Sequence, residues 1–223
     1  MHTLALAEEL HRQGVAVEVI ALGDPQTGFF RRVDAPLHLI PSPPPFETLE
    51  QRVAAAIDAL TEGLRARRAA ATLPHILHVQ DCISARAAVR LRDEGAPVFV
   101  LRTVHHVDDF TTPDLIECQL RSILDPDRLL VVSRMWRDLL AAEYGVKATV
   151  VTDLPVFREY LTAGHDALVV QPGDDQDLAA QLDRLANDPA LRAALTTAGR
   201  QVAARFTWSA CASQHRAVYD EIL

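Results

Sequence analysis

Polar residues able to bind or transform a small molecule concentrate in a few short stretches of this chain. His78-Val79-Gln80-Asp81 closes the apolar run Ile76–Val79. Arg102-Thr103-Val104-His105-His106-Val107-Asp108-Asp109 follows the run Val98–Leu101, and Ser133-Arg134 follows Leu129–Val132. If the runs are parallel strands, their polar ends lie side by side, and open parallel sheets take ligands in the crevice outside those ends. Three chemistries fit. Imidazoles and carboxylates suit a metal ion, as in a hydrolase using His78, Asp81, His105 and Asp109. The same residues also suit a plain strand end with a helix cap, or a crevice in which a histidine hydrogen-bonds a hydroxyl-rich ligand. Neighbours on an extended chain point to opposite faces, so His105 and His106 cannot both meet one ion from a strand. No HxxxH or HExxH spacing supports a metal, and none is expected; no cofactor is expected either.

Other chemistries find less support. Ser84, Ser133 and Cys82 are the candidate nucleophiles, but none lies in GxSxG and no Cys–His pairing is readable. The glycines never approach GxGxxG or GxxxxGK spacing, so no phosphate loop is visible. His2, His38, His75 and His165 read as surface residues, and His215 as a satisfied histidine on an inward helix face.

The elements that must position these groups follow one repeated unit: an amphipathic helix, a glycine, then an apolar run rich in β-branched residues. It ends at Leu22, Leu101 and Val151, with Gly14, Gly95 and Gly145 placed to stop the helices in a left-handed conformation. Runs that are apolar throughout suit strands buried on both faces. Ile76–Val79 and Leu129–Val132 add strands, and Leu37–Ile40 a weaker one. Pro41–Pro45 launches a helix with Leu49, Val53, Ile57, Leu60 and Leu64 on one face. Helix alternating with buried strand predicts an α/β Rossmann-like parallel sheet flanked by helices. After Val151 the pattern changes to one strand, Ala167–Val170, and three helices. Asp174, Asp188 (with Pro189 in the first turn) and Thr207 stand at their starts. The last shows Trp208, Cys211, His215, Val218 and Ile222 at three-four spacing.

Composition narrows the classes further. Of 223 residues, 49% are hydrophobic and 23% charged, which excludes disorder. The net charge of −8 argues against a nucleic-acid groove. The one basic knot, Arg65, Arg67 and Arg68, closes a helix that opens with Glu47 and Glu50, the order the helix dipole favours. Cys82, Cys118 and Cys211, odd in number and without CxxC spacing, offer neither a disulfide framework nor a zinc knuckle. Glu8, Glu9 and Arg12 interrupt any signal-peptide core, and no apolar run reaches the ~18 residues of a membrane span. A cytoplasmic protein with no integral membrane segment is expected.

These segments, in this order, resemble family 4 glycosyltransferases. HTLALAEELHRQGVAVEVIAL is similar to the first helix and second strand. HILHVQDCISARAAVRLRDEGAPVFVLRTVHHVDDF is similar to an HxxD strand end followed by a TxH strand, and LLVVSRMWRDLLAAEYGVKATVV to the close of the N-terminal domain. TDLPVFREYLTAGHDALVVQPGDDQDLAAQLDRLANDPALRAAL resembles the end of the C-terminal domain, and ARFTWSACASQHRAVYDEIL the final helix that crosses back.

The resemblance implies a retaining GT-B enzyme that moves a sugar from a nucleotide-sugar donor to a hydroxyl acceptor without a metal. It implies that His105, with Thr103 at the TxH position, faces the reacting sugar carbon as the catalytic residue. His78 and Asp81 would line the acceptor side, Ser133 and Arg134 the crevice floor, and Glu159 the donor side. It further implies a division into an N-terminal acceptor-side domain, 1–151, and a shortened C-terminal donor-side remnant, 152–223. Val150-Val151 runs directly into Thr152-Asp153, where the family carries a diphosphate-gripping Arg and Lys and a Glu-x7-Glu motif. The scarcity of glycine, 9 residues, follows from the same shortening. The alternative expectation is a non-catalytic Rossmann-like remnant that binds a partner or self-associates through an exposed apolar face.

Overall fold

A computed structural model of the chain describes residues 2–29, 31–132 and 187–223, and between the last two stretches residues 140, 144, 150–151, 162, 164–165, 168, 176, 180–181 and 183–184. The elements run α1 (His2–Arg12), β1 (Val19–Gly23), β2 (Leu37–Pro41), α2 (Leu49–Ala69), β3 (Ile76–Val79), α3 (Cys82–Asp93), β4 (Phe99–Val104), α4 (Pro113–Leu124), β5 (Arg128–Val131), β6 (Val150–Val151), α5 (Pro189–Ala203) and α6 (Trp208–Asp220). Two glycine stops are where the sequence places them. Gly14 and Gly95 take φ of +79° and +84°, and the amide of the next residue turns back onto α1 or α3. The third, Gly145, lies outside the described residues, as do the expected strand Ala167–Val170 as a unit and the cap Asp174.

All strand pairings among the described residues are parallel. β1 pairs with β2, and β3-β4-β5-β6 form a second sheet in that order. The α/β Rossmann-like class holds, but the expected single sheet is divided between β1 and β3. No ladder joins these two strands among the described residues. Ile20 and Leu22 of β1 instead reach the second sheet through side chains, in the core cluster that holds Leu77 and Val79.

Alternation along the strands distributes the helices. Val100 packs with Leu60 and Leu64 of α2 and Ala85, Ala88 and Leu91 of α3; Val104, Leu129 and Val131 pack with Ile123 of α4. The residues between them, Leu101 and Leu130, face Val218 of α6 on the opposite side. α6 also lies along α1, with Ala212 against Leu6 and Leu10. Burying Val218 alone is worth about 1.5–3 kcal/mol. Its start is set by Thr207, whose Oγ1 accepts from Ala210 N at 3.1 Å; Asp188 caps α5 in the same way at 2.8 Å.

Two inward assignments fail for one reason. Leu49 and Trp208 are 44% and 42% exposed. Each is the first residue of its helix, and a helical side chain covers the turn before its own Cα, which here does not exist. The basic knot is structural. Arg65 pairs with Glu62 and Glu94, Arg67 with Glu18, and Arg68 donates to the carbonyls of Glu94 and Gly95 at 3.2 and 3.0 Å. Those carbonyls end α3, so the cations complement its negative pole.

Gly63 is where α2 meets β2. A Cβ built there would lie 2.2 Å from Cδ1 and 2.6 Å from Cγ1 of Ile40. Both atoms would have to move, so Gly63→Ala is expected to destabilise the fold by about 1–3 kcal/mol, read as a lowered urea midpoint. An unchanged midpoint would show that α2 and β2 are not held in this register.

Candidate active site at the strand ends

β3 and β4 pair with His78 opposite Leu101 and Val79 opposite Arg102. Side chains on one face therefore recur every second residue, and two rungs of polar contact climb that face. In the lower rung, His78 Nε2 lies 2.7 Å from Thr103 Oγ1 and its Nδ1 lies 2.6 Å from the hydroxyl of Tyr219 on α6. In the upper rung, His105 Nε2 donates to Gln80 Oε1 at 3.0 Å. Both rungs join residues 25 apart in sequence, so the second is the first shifted by two residues along each strand.

The rungs differ in their surroundings. Thr103 is fully buried, and burial pushes the Tyr219 phenol above its usual range, so the phenol keeps its proton. His78 also stacks near His215, with ring centroids 5.5 Å apart. His215 is buried, with Nδ1 2.8 Å from Cys211 O, and Cys211 Sγ lies 3.6 Å from the same nitrogen. Burial raises the Cys211 thiol, so it is no thiolate nucleophile. His78, Thr103, Tyr219 and His215 thus form a polar seam between sheet and α6. His105 stands at the open end of the strand, half-buried, followed by exposed His106, Asp108 and Asp109.

The strand is longer than the apolar run. β4 continues to Val104, so Arg102 and Thr103 lie within the sheet and not beyond it. Arg102 points to the other face, is 5% exposed, and donates from Nη1 to Ser122 O at 3.1 Å. A buried guanidinium was legible only as a polar strand end, because Arg interrupts the hydrophobic pattern that marks a strand.

Asp81 lies close in sequence but plays a separate part. It is the N-cap of α3, with Oδ1 accepting from Ser84 N at 2.7 Å and Ser84 Oγ at 2.9 Å. It is exposed at the strand end, so it caps the helix while bordering the crevice. Ser133, Arg134 and Glu159 lie outside the described residues. Gln80 and Tyr219 were not singled out from sequence. Gln80 could have been found by its two-residue offset from His78, and Tyr219 by its four-residue offset from His215. Among the described residues no three His, Cys, Asp or Glu side chains converge as a metal site, and no helix is long and apolar enough to cross a membrane.

Burial, then the charges of His106 and Arg102, hold the His105 imidazole below its usual 6.5; burial does the same to His215. Both are neutral at pH 7. In the unfolded chain they would titrate near 6.5, so between that value and the lowered folded ones the unfolded state binds more protons. Stability is therefore expected to fall as pH drops below about 6.5 and to level off only beneath the folded values. Urea midpoints measured from about pH 8 to about pH 5 would show this slope. A flat profile across that window would contradict the burial of both rings.

Comparison with known proteins bears on the family and the fold. Residues 1–155 match the family described as Glycosyltransferase Family 4. Seven solved chains match the fold. One is the part of sucrose-phosphate synthase from Thermosynechococcus elongatus designated 27–220 and 406–426, at 17% identity and a TM-score of 0.53, covering 82% of this chain and 91% of that one. No curated protein sequence matches.

Proposed function

Because the chain belongs to glycosyltransferase family 4, we propose that it transfers a sugar from a nucleotide-sugar donor to a hydroxyl acceptor with retention, at the ends of β3 and β4. The observation that carries this is the upper rung: a neutral, half-buried imidazole held at a strand end by Gln80. A neutral imidazole carries both a hydrogen-bond donor and an acceptor, chemistry suited to a sugar hydroxyl. Sugar transfer passes through an oxocarbenium-like centre, and its rate depends on held hydroxyls and stabilised leaving-group charge. A neutral ring adds no positive charge beside a centre that becomes positive. In this reading His105 is the catalytic residue and Asp81 borders the acceptor. His78 and Thr103 line the crevice from below and position the rung above them. Ser133, Arg134 and Glu159 are assigned to the crevice floor and donor side by resemblance alone, as is the division at residue 151. The reading gives no metal or cofactor a role.

Titration calorimetry with UDP-, GDP- and ADP-glucose tests it. Saturable binding of one donor tighter than about 1 mM, with turnover when an acceptor is added, is the expected result. Absence of binding to all three would overturn it.

A second reading, a domain that binds an acceptor or a second copy without turnover, is favoured by one feature. The core of 2–132 is closed by α6, through Val218 on the sheet and Ala212 on α1. Such a body could fold and bind on its own. Donor-independent self-association in sedimentation, with no turnover, would decide for this reading.

A further inference from the structure

β4 pairs with β5 as far as Val104, opposite Val131, and ends there. The chain then runs on through His105, His106, Val107 and Asp108, and among the described residues no strand pairs with it. One side chain of α4 meets this backbone. The Asp108 amide donates to Gln119 Oε1 at 2.7 Å, and Gln119 Nε2 donates to the Asp108 carbonyl at 2.9 Å. Both are ordinary hydrogen-bond lengths, and together they fix which way the amide points, since a backbone N–H can only donate and a carbonyl can only accept. A primary amide sets a donor beside an acceptor, as the edge of a strand does. Gln119 thus takes over the pairing that β4 loses after Val104.

The turn of α4 that carries Gln119 is itself tied back to β4. Ser122 Oγ donates to the Gln119 carbonyl at 2.6 Å, and the Ser122 carbonyl accepts from the buried Arg102 at 3.1 Å. Between these two pins Val107 packs against the cluster that holds Val104 and Ile123. A closed ring results. Arg102 and Asp108 are both fastened to one turn of α4, and His105 stands midway, three residues from each. Its imidazole is held separately, by Gln80 at the end of β3 at 3.0 Å. Ring and backbone are therefore positioned from two different elements.

We propose that Gln119 is a positioning residue for sugar transfer: its side-chain amide clamps the Asp108 backbone and thereby fixes the loop that carries His105. The proposal rests on the reading of His105 as the catalytic residue. Without the clamp, water replaces both partners of Asp108 at small cost in stability, because these bonds lie at the surface. The imidazole keeps its bond to Gln80, but the backbone beneath it spreads over more positions. A displacement of about 1 Å at a reacting group costs on the order of 10²-fold in rate. That loss falls on the transition state more than on donor binding.

Gln119→Met keeps the length of the side chain and removes its donor and acceptor. Residue-resolved amide exchange of the full chain, read by NMR, should show Asp108 protected about tenfold or more in the parent and unprotected in this variant. The His105 imidazole resonances should shift or broaden in the variant, while those of His78 beneath α6 stay in place and the urea midpoint changes little. Sugar transfer should lose about tenfold or more in kcat, with the donor KM nearly unchanged. Gln119→Glu, which keeps the acceptor but sets a carboxylate oxygen against the Asp108 carbonyl, should change in the same direction. Glu117→Ala, on the same helix and paired with Arg121, should behave as the parent chain. An Asp108 amide unprotected in the parent would overturn the clamp, even if Gln119→Met fails to fold. Faster exchange in the variant with the His105 resonances and kcat unchanged would overturn the positioning role. A parent chain that neither binds nor turns over a donor would overturn the sugar-transfer reading instead, and the exchange and imidazole signals would still decide whether Gln119 holds His105.

Discussion

Replacing His105 by alanine is expected to lower sugar transfer by a factor on the order of 10²–10³ while leaving the fold intact. The ring is half-buried and makes its upper-rung bond to Gln80, which is itself partly open to water. Solvent can therefore replace the lost partner, and the cost in stability should stay within about 1 kcal/mol. The transition state has no such substitute, because its hydroxyl must be held in one geometry while the bond to the leaving phosphate breaks. Turnover should fall much more than donor affinity. Gln80→Ala, which removes the support and keeps the ring, should show a smaller loss in the same direction. Steady-state rates for both variants, with urea midpoints as the control for folding, check this. A His105→Ala chain that keeps its full rate would remove His105 from the chemistry.

The second large effect falls on stability. His78→Ala should destabilise the chain by roughly 2–5 kcal/mol, since two hydroxyls lose a partner and each unsatisfied buried group costs about 1–3 kcal/mol. Thr103 is fully buried, and Tyr219 is half-buried, enough to raise its phenol so that it keeps its proton. The loss should be coupled to α6. A double-mutant cycle of His78→Ala with Tyr219→Phe is expected to show an interaction of about 0.5–3 kcal/mol, and the single variant should open α6 to trypsin at Arg216. Additive losses, with α6 still protected, would mean that His78 does not hold that helix.

The two histidines show how far the sequence could be read. Both were legible as strand-end residues, because apolar runs ended at them and parallel strands collect their ends on one edge. Their difference was not legible. It depends on which residue of a two-residue period lies under α6, and that helix comes from the far end of the chain. A contact between residues 141 apart leaves no local pattern. The same limit hid the buried Arg102. Local devices were readable in place: the glycine stops at 14 and 95, and the caps at Asp188 and Thr207. Their physics is confined to a few neighbouring residues. The division between β1 and β3 was not readable, because apolar runs mark strands but not which of them share a ladder.

The central claim is that His105 meets the sugar while His78 belongs to the seam beneath α6. Imidazole proton and nitrogen resonances of the two rings, followed by NMR as the nucleotide sugar that binds in calorimetry is added, test it most directly. The account predicts that the His105 signals shift and saturate with the donor while those of His78 and His215 stay in place. Shifts at His78 with His105 unmoved would contradict it.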